Sequence, residues 1–183
     1  MQAADAMSSE AVAREPLFAH DNHLPWVVLH VKSRQEKALS RDLEGLGISH
    51  FLPIMRDKRR HGSQKAIVEV PVFPGYVFVR GTADEAYRAD RTRRVARLIR
   101  VVDQRRLDDE LWNLRLALRE GAALTIHPKL ASGIRVAIIA GAFEGLQGMV
   151  QDHQSLDRVI LEVHILGRFV SLNVDACDVV PLE

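Results

Sequence analysis

Val70-Pro71-Val72-Phe73-Pro74-Gly75-Tyr76-Val77-Phe78-Val79 decides how this chain is read. Two prolines and a glycine make a stiff, turned approach to a short strand, because proline fixes φ and glycine tolerates the turn. Side chains alternate across a strand, so Tyr76 and Phe78 share one face while Val77 and Val79 form the other. Three of the chain's ten aromatic residues lie in this stretch. Both faces are apolar, and both want cover. The valine face can pack on helices of the same domain. The aromatic face either continues the core or stands open as a docking platform.

Upstream, Trp26 to Val31 is apolar at nearly every position and reads as a central strand. Ser33 and Glu36 have the spacing of a capping box, opening a helix with Leu39, Leu43 and Leu46 on one side and an end at Gly45 and Gly47. Ile48 to Ile54 returns as a strand. Arg56 to Lys65 is polar and basic and reads as a hairpin tip, with Ile67 to Val70 as the second arm. Downstream, Thr82 and Glu85 form another capping box, before a helix with Ala86 and Tyr87 on its inner side. Leu98 to Val102 is a strand. Asp108 is the expected cap of a last helix, with Leu107 and Trp112 as a hydrophobic staple and Leu111, Leu114 and Leu118 as its stripe. The order β-α-β-β-β-α-β-α predicts an α+β domain over 23–121, an antiparallel sheet with helices on one face, split-βαβ-like.

A linker is expected at 122–131, and from 132 to 183 the pattern is β only. Arg135 to Ile139, Met149 to Gln151, Arg158 to Val163, Phe169 to Val174 and Val179-Val180 are short strands. Gly141, Gly145 and Gly148 mark sharp turns between the first two, where a positive φ is needed. Five short strands in so few residues predict a small β-barrel.

Charge is unevenly spread along the 183 residues. Residues 1–22 hold one basic and four acidic side chains, 23–121 hold 20 against 13, and 122–183 hold 4 against 7. The first segment reads as a disordered tail. The middle domain is basic, densest at Arg88, Arg91, Arg93, Arg94, Arg97 and Arg100, which either solvate the surface or attract a phosphate backbone. The only cysteine is Cys177, read as buried or half-buried, so no disulfide framework exists and a reducing cytoplasm is expected. No apolar run is long enough for a membrane span, and no secretory signal is expected. The histidines lack metal-ligand spacing, and no nucleophile elbow or phosphate-binding loop is present. Hence no enzyme, metal or cofactor is expected.

Gly133-Ile134-Arg135-Val136 through Gly141-Ala142-Phe143-Glu144-Gly145-Leu146-Gln147-Gly148-Met149-Val150 resembles the KOW motif of bacterial NusG-type transcription factors. Ile165-Leu166-Gly167-Arg168 with its following strand is similar to that family's SH3-like barrel. Trp26 and Phe73-Pro74-Gly75-Tyr76-Val77-Phe78-Val79 resemble its N-terminal NGN domain. The resemblance implies a monomeric factor that binds the β′ clamp helices of RNA polymerase, suppresses pausing and modulates termination. It maps the polymerase-binding depression onto Phe73, Tyr76 and Phe78, with His30 on the neighbouring strand where many relatives carry an aromatic. Independently of the resemblance, the dense arginine segment is expected to place upstream or non-template DNA near Arg88, Arg91, Arg93 and Arg94. On the KOW domain the resemblance assigns Phe143, Leu146, Leu166 and Arg168 to a second partner, Rho or the ribosomal protein NusE.

The short hairpin tip favours a specialised antiterminator like RfaH; a housekeeping NusG is the alternative. A different class of protein is also open, since Gly75-Tyr76-Val77-Phe78-Val79 partly matches the RNP1 strand of an RNA-binding module. Val77 there stands where a small residue would admit a stacked base.

Overall fold

A computed structural model describes residues 14–19, 21–61, 64–127, 133–150 and 158–182. The expected hairpin tip at Gly62-Ser63, most of the tail, residues 128–131 of the linker and the turn at Gln151-Asp152-His153 lie outside them, as do the side chains of 58–65.

The strands are β1 (Trp26–Val31), β2 (His50–Phe51), β3 (Ile54–His61), β4 (Gln64–Pro71), β5 (Tyr76–Arg80) and β6 (Val95–Arg100) in the first half. The helices are α1 (Glu36–Gly45), α2 (Ala83–Asp90) and α3 (Gln104–Arg119). The second half contributes β7 (Thr125–His127), β8 (Ile134–Ile138), β9 (Gln147–Val150), β10 (Arg158–Val163), β11 (Arg168–Asn173) and β12 (Val179–Pro181).

The first sheet has the order β2-β5-β1-β6, with every pair antiparallel. Its two faces are covered by different parts of the chain. Val77 and Val79 pack with Leu29, Val31, Leu39, Leu43 and Ala89, so α1 and α2 take the valine face as expected. On the other face Val28 and Phe78 pack with Leu107, Leu111 and Leu114 of α3. Helices on one face therefore describes α1 and α2, while α3 crosses to the aromatic side. Its stripe needs apolar surface, and the aromatic face is where that surface remains.

Several local expectations give way to stronger distant partners. Ser33 does not cap α1; Gln35 is the N-cap, with no side-chain bond, and the Glu36 carboxylate accepts instead from the Gly75 amide at 2.7 Å. The capping box at Thr82 and Glu85 does form. Asp108 lies inside α3, whose actual cap is Asp103, accepting from the Arg106 amide at 3.0 Å. Leu107 and Trp112 are core residues rather than a staple. Tyr87 faces outward, 59% exposed. The strand expected at 48–54 is broken at Leu52-Pro53 into β2 and β3. The basic stretch from Arg56 belongs to β3, which pairs with β4 through eight residues, so it is strand and not tip.

Residues 125–127, expected in the linker, are β7 and pair with β11. The second sheet has the order β12-β8-β9-β10-β11-β7 and carries Val136, Ile138, Val150, Val159, Leu161 and Val170 inward. Removing each such side chain from water contributes on the order of 1.5–3 kcal/mol.

Candidate functional site

Strand register sorts the aromatic face into three rows. Arg80 lies opposite Trp26; Phe78 opposite Val28, and Val28 opposite Ile99; Tyr76 opposite His30, and His30 opposite Arg97. Residues directly opposite in an antiparallel pair share a face, so each row crosses the sheet on the aromatic side. The rows differ in what covers them.

The middle row is core. Phe78 is 0% exposed and Phe73 only 2%, the two rings meeting edge to face at 6.3 Å. Neither can touch a partner directly. That corrects the expectation of a platform made of Phe73, Tyr76 and Phe78: α3 and the chain's own rings fill the space where a partner would sit. Phe51 and Phe18 complete the cluster, with Phe18 edge-on to Phe51 at 5.3 Å and 5.6 Å from Trp112.

Phe18 belongs to the segment expected to be a disordered tail. Residues 14–19 instead cross the sheet and α3, with a 3-10 turn at Pro16–Phe18. Their anchor is Arg80, at the end of the aromatic strand. Its guanidinium donates to the carbonyls of Leu24 at 3.1 Å, Leu17 at 2.6 Å and Ala19 at 3.3 Å, and to Asp108 at 2.7 Å. Asp108 also accepts from the Trp26 indole at 2.8 Å and from Arg14 at 3.1 Å. Burial pulls Arg80 below its ordinary pKa, opposed by Asp108; an arginine so placed stays charged. Sequence reading missed this hub. The one available signal was the apolar trio Pro16-Leu17-Phe18 inside a polar tail.

The third row is open. His30 is exposed and Tyr76 half-buried, their rings 5.2 Å apart and tilted by 33°. The turn before them is tightly held. Gly75 has φ +87°, a conformation that favours glycine. Its amide is bound by Glu36, its carbonyl accepts from Val31 at 2.8 Å, and the Tyr76 amide donates to Phe73 at 3.1 Å. Tyr76 and His30 are thus the two of the four expected contact residues that can meet a partner.

Of the basic residues, Arg88, Arg91 and Arg93 are exposed, Arg88 donating to the Leu46 carbonyl at 3.2 Å. Arg94 is not available in the same way. It pairs with Asp42 at 2.6 Å and with Gln35, tying α1 to the start of β6.

In the second half, Gly141 and Gly145 have φ +82° and +85°, as the turn reading requires. Gly148 serves differently: a Cβ there would lie 2.5 Å from Val159 Cγ1 and 2.6 Å from the Ile160 carbonyl. Leu146 is 0% exposed and plugs the core, so it is corrected from contact residue to packing residue. Phe143 and Leu166 are half-buried and Arg168 is exposed. Cys177 is exposed, not buried, and its hydrogen bond to Asp175 raises the thiol pKa, which makes it a poor nucleophile.

The two halves meet along α3. Arg106 donates to Glu110 at 2.9 Å and to Glu162 of β10 at 3.2 Å. Glu110 accepts from the His164 amide at 3.0 Å, and Asn113 accepts from the Gln147 amide at 3.1 Å. Burial raises the Glu110 pKa, opposed by the bonds from His164 and Arg106. Phe143 and Glu144 line one cleft with Leu116, Arg119 and Glu120 of α3.

Residues 24–111 match the family model described as "NusG: Transcription termination factor nusG". No curated protein sequence matches the chain. Among solved structures, one described as "Domain interaction in Thermotoga maritima NusG" is similar, with 24% identity and a TM-score of 0.45, covering 87% of this chain and 97% of that one.

Proposed function

We propose that this chain, whose residues 24–111 match the NusG family model, is a NusG-type factor that binds RNA polymerase and promotes elongation. The observation that carries this reading is the open Tyr76–His30 pair at the end of an otherwise covered aromatic face. An exposed ring held by a stiff turn is a preorganised anchor, because little side-chain freedom is lost when a partner binds. The partner is the β′ clamp-helix region. Bridging the cleft there restrains the clamp, and pausing is suppressed.

The exposed Arg88, Arg91 and Arg93 serve nearby upstream or non-template DNA through phosphate attraction. The second half, 132–183, recruits a second protein, Rho or NusE, through Phe143, Leu166 and Arg168. The proposal covers a general elongation factor and an RfaH-like specialist alike, since the pairing of β3 with β4 does not separate them. The RNA-module alternative loses its stacking pair, since Phe78 is interior.

A pull-down with purified RNA polymerase tests the reading. Tyr76→Ala is expected to lose retention while keeping a native melt. Retention equal to wild type would overturn it.

A further inference from the structure

The open row holds more than an aromatic anchor. Tyr76, His30 and Arg97 stand side by side on β5, β1 and β6, and the β1–β6 register shifts between His30 and Val31, so regular pairing is interrupted beside this row. Strands lie about 4.8 Å apart, so three of them span roughly 10 Å, close to two turns along one helix. Across that width the chemistry changes in one direction. Tyr76 presents a ring that packs against the core cluster to which Phe73 and Phe78 belong. His30 is exposed in the middle, and the exposed Arg97 guanidinium closes the far end. Among the described residues, no ion pair engages Arg97. The nearby Arg94, by contrast, is paired with Asp42.

We infer that the Tyr76–His30–Arg97 row is a graded surface for one amphipathic helix of a protein partner, seating an apolar side chain on Tyr76 and a carboxylate on Arg97. The inference rests on the polymerase-binding reading and adds to it the chemistry that the bound helix must carry. A carboxylate about seven residues from an apolar anchor lies on the same helix face, about 10 Å along its axis, which is the spacing this row would read. The guanidinium offers a planar fork to that carboxylate, and an interfacial charge contact of this kind sets orientation and partner choice. His30 lines the path between the two ends and can donate to the same acid or stack beside Tyr76.

The test measures binding of the full chain to purified core RNA polymerase free of nucleic acid. Arg97→Glu is expected to weaken binding about tenfold or more, as a reversed interfacial charge does. Arg97→Lys, which keeps the charge, is expected to stay within about threefold. Arg41→Glu, an exposed reversal on α1 across the sheet, serves as the control and is expected to bind as wild type. Rising salt should weaken the wild type more steeply than Arg97→Ala. Unchanged binding by Arg97→Glu, with Tyr76→Ala still defective, overturns the inference alone. An effect of Arg97→Glu confined to complexes containing DNA also overturns it, because the arginine would then read phosphate. If Tyr76→Ala binds normally as well, the polymerase-binding reading itself fails.

Discussion

The Arg80 guanidinium and the Asp108 carboxylate meet at 2.7 Å between β5 and α3, with side chains only 6% and 4% exposed. They join the end of the aromatic strand to the helix that covers it, and Arg80 gathers the chain between Leu17 and Leu24 around itself. A buried charge without its counter-charge is strongly unfavourable, whereas an apolar replacement of both is often neutral. Here the second route is closed, because Arg80 also satisfies backbone carbonyls. Asp108→Ala is expected to cost about 3–5 kcal/mol in a urea melt. The Arg80→Met, Asp108→Leu pair is expected to remain destabilised. Full recovery in the double variant would show that the carbonyl contacts contribute nothing.

Phe18 is buried among Trp26, Phe51 and Trp112. Phe18→Ala is expected to destabilise the first domain by about 3–5 kcal/mol, as for other buried aromatic truncations. Removing residues 1–22 should cost at least as much. A truncated chain that melts like the full one would restore the picture of a passive tail.

Leu146 and Phe143 lie three residues apart on one glycine turn and should behave oppositely. Leu146→Ala removes a core side chain and is expected to lower stability of the second domain by about 2–5 kcal/mol. Phe143→Ala, at a half-buried position, should leave a cooperative melt and, on the proposed partner reading, reduce capture of Rho or NusE. Loss of the melt in Phe143→Ala would make that ring a packing residue too.

Glu110 makes stability depend on pH. Burial raises its pKa above the ordinary 4.5, so the folded chain binds its proton more tightly than the unfolded one. This contribution is complete below the ordinary value and is lost as pH rises through the raised value of the folded state. Stability is therefore expected to fall with rising pH in that window. Glu110→Gln isolates its share and should flatten the dependence. The measurement is the urea midpoint followed against pH in both proteins. Equal slopes would show that Glu110 is not the source.

Much was legible where local geometry decides. The positive φ of Gly141 and Gly145, the Thr82–Glu85 capping box and the strands of the second half follow from short-range sterics and hydrogen bonding. The local readings that failed did so where a distant partner was stronger. The Glu36 carboxylate serves Gly75, 39 residues away, rather than its own helix terminus. Asp108 serves Trp26 and Arg80, 82 and 28 residues away, and therefore cannot be a cap. No local pattern distinguishes an acid that caps a helix from one buried against an arginine of another element.

The aromatic strand shows the same division. Alternation alone determines that Tyr76 and Phe78 share a face, because the side-chain period of a strand is two. It also determines that both faces are apolar and must be covered. Which ring remains outside is settled only in three dimensions. Phe78 sits opposite Val28, beneath α3 and the Phe18 cluster, while Tyr76 sits one row further on, beyond the reach of that cover. Burial depends on where distant segments end in space, and the length and docking of α3 and of residues 14–19 set that limit.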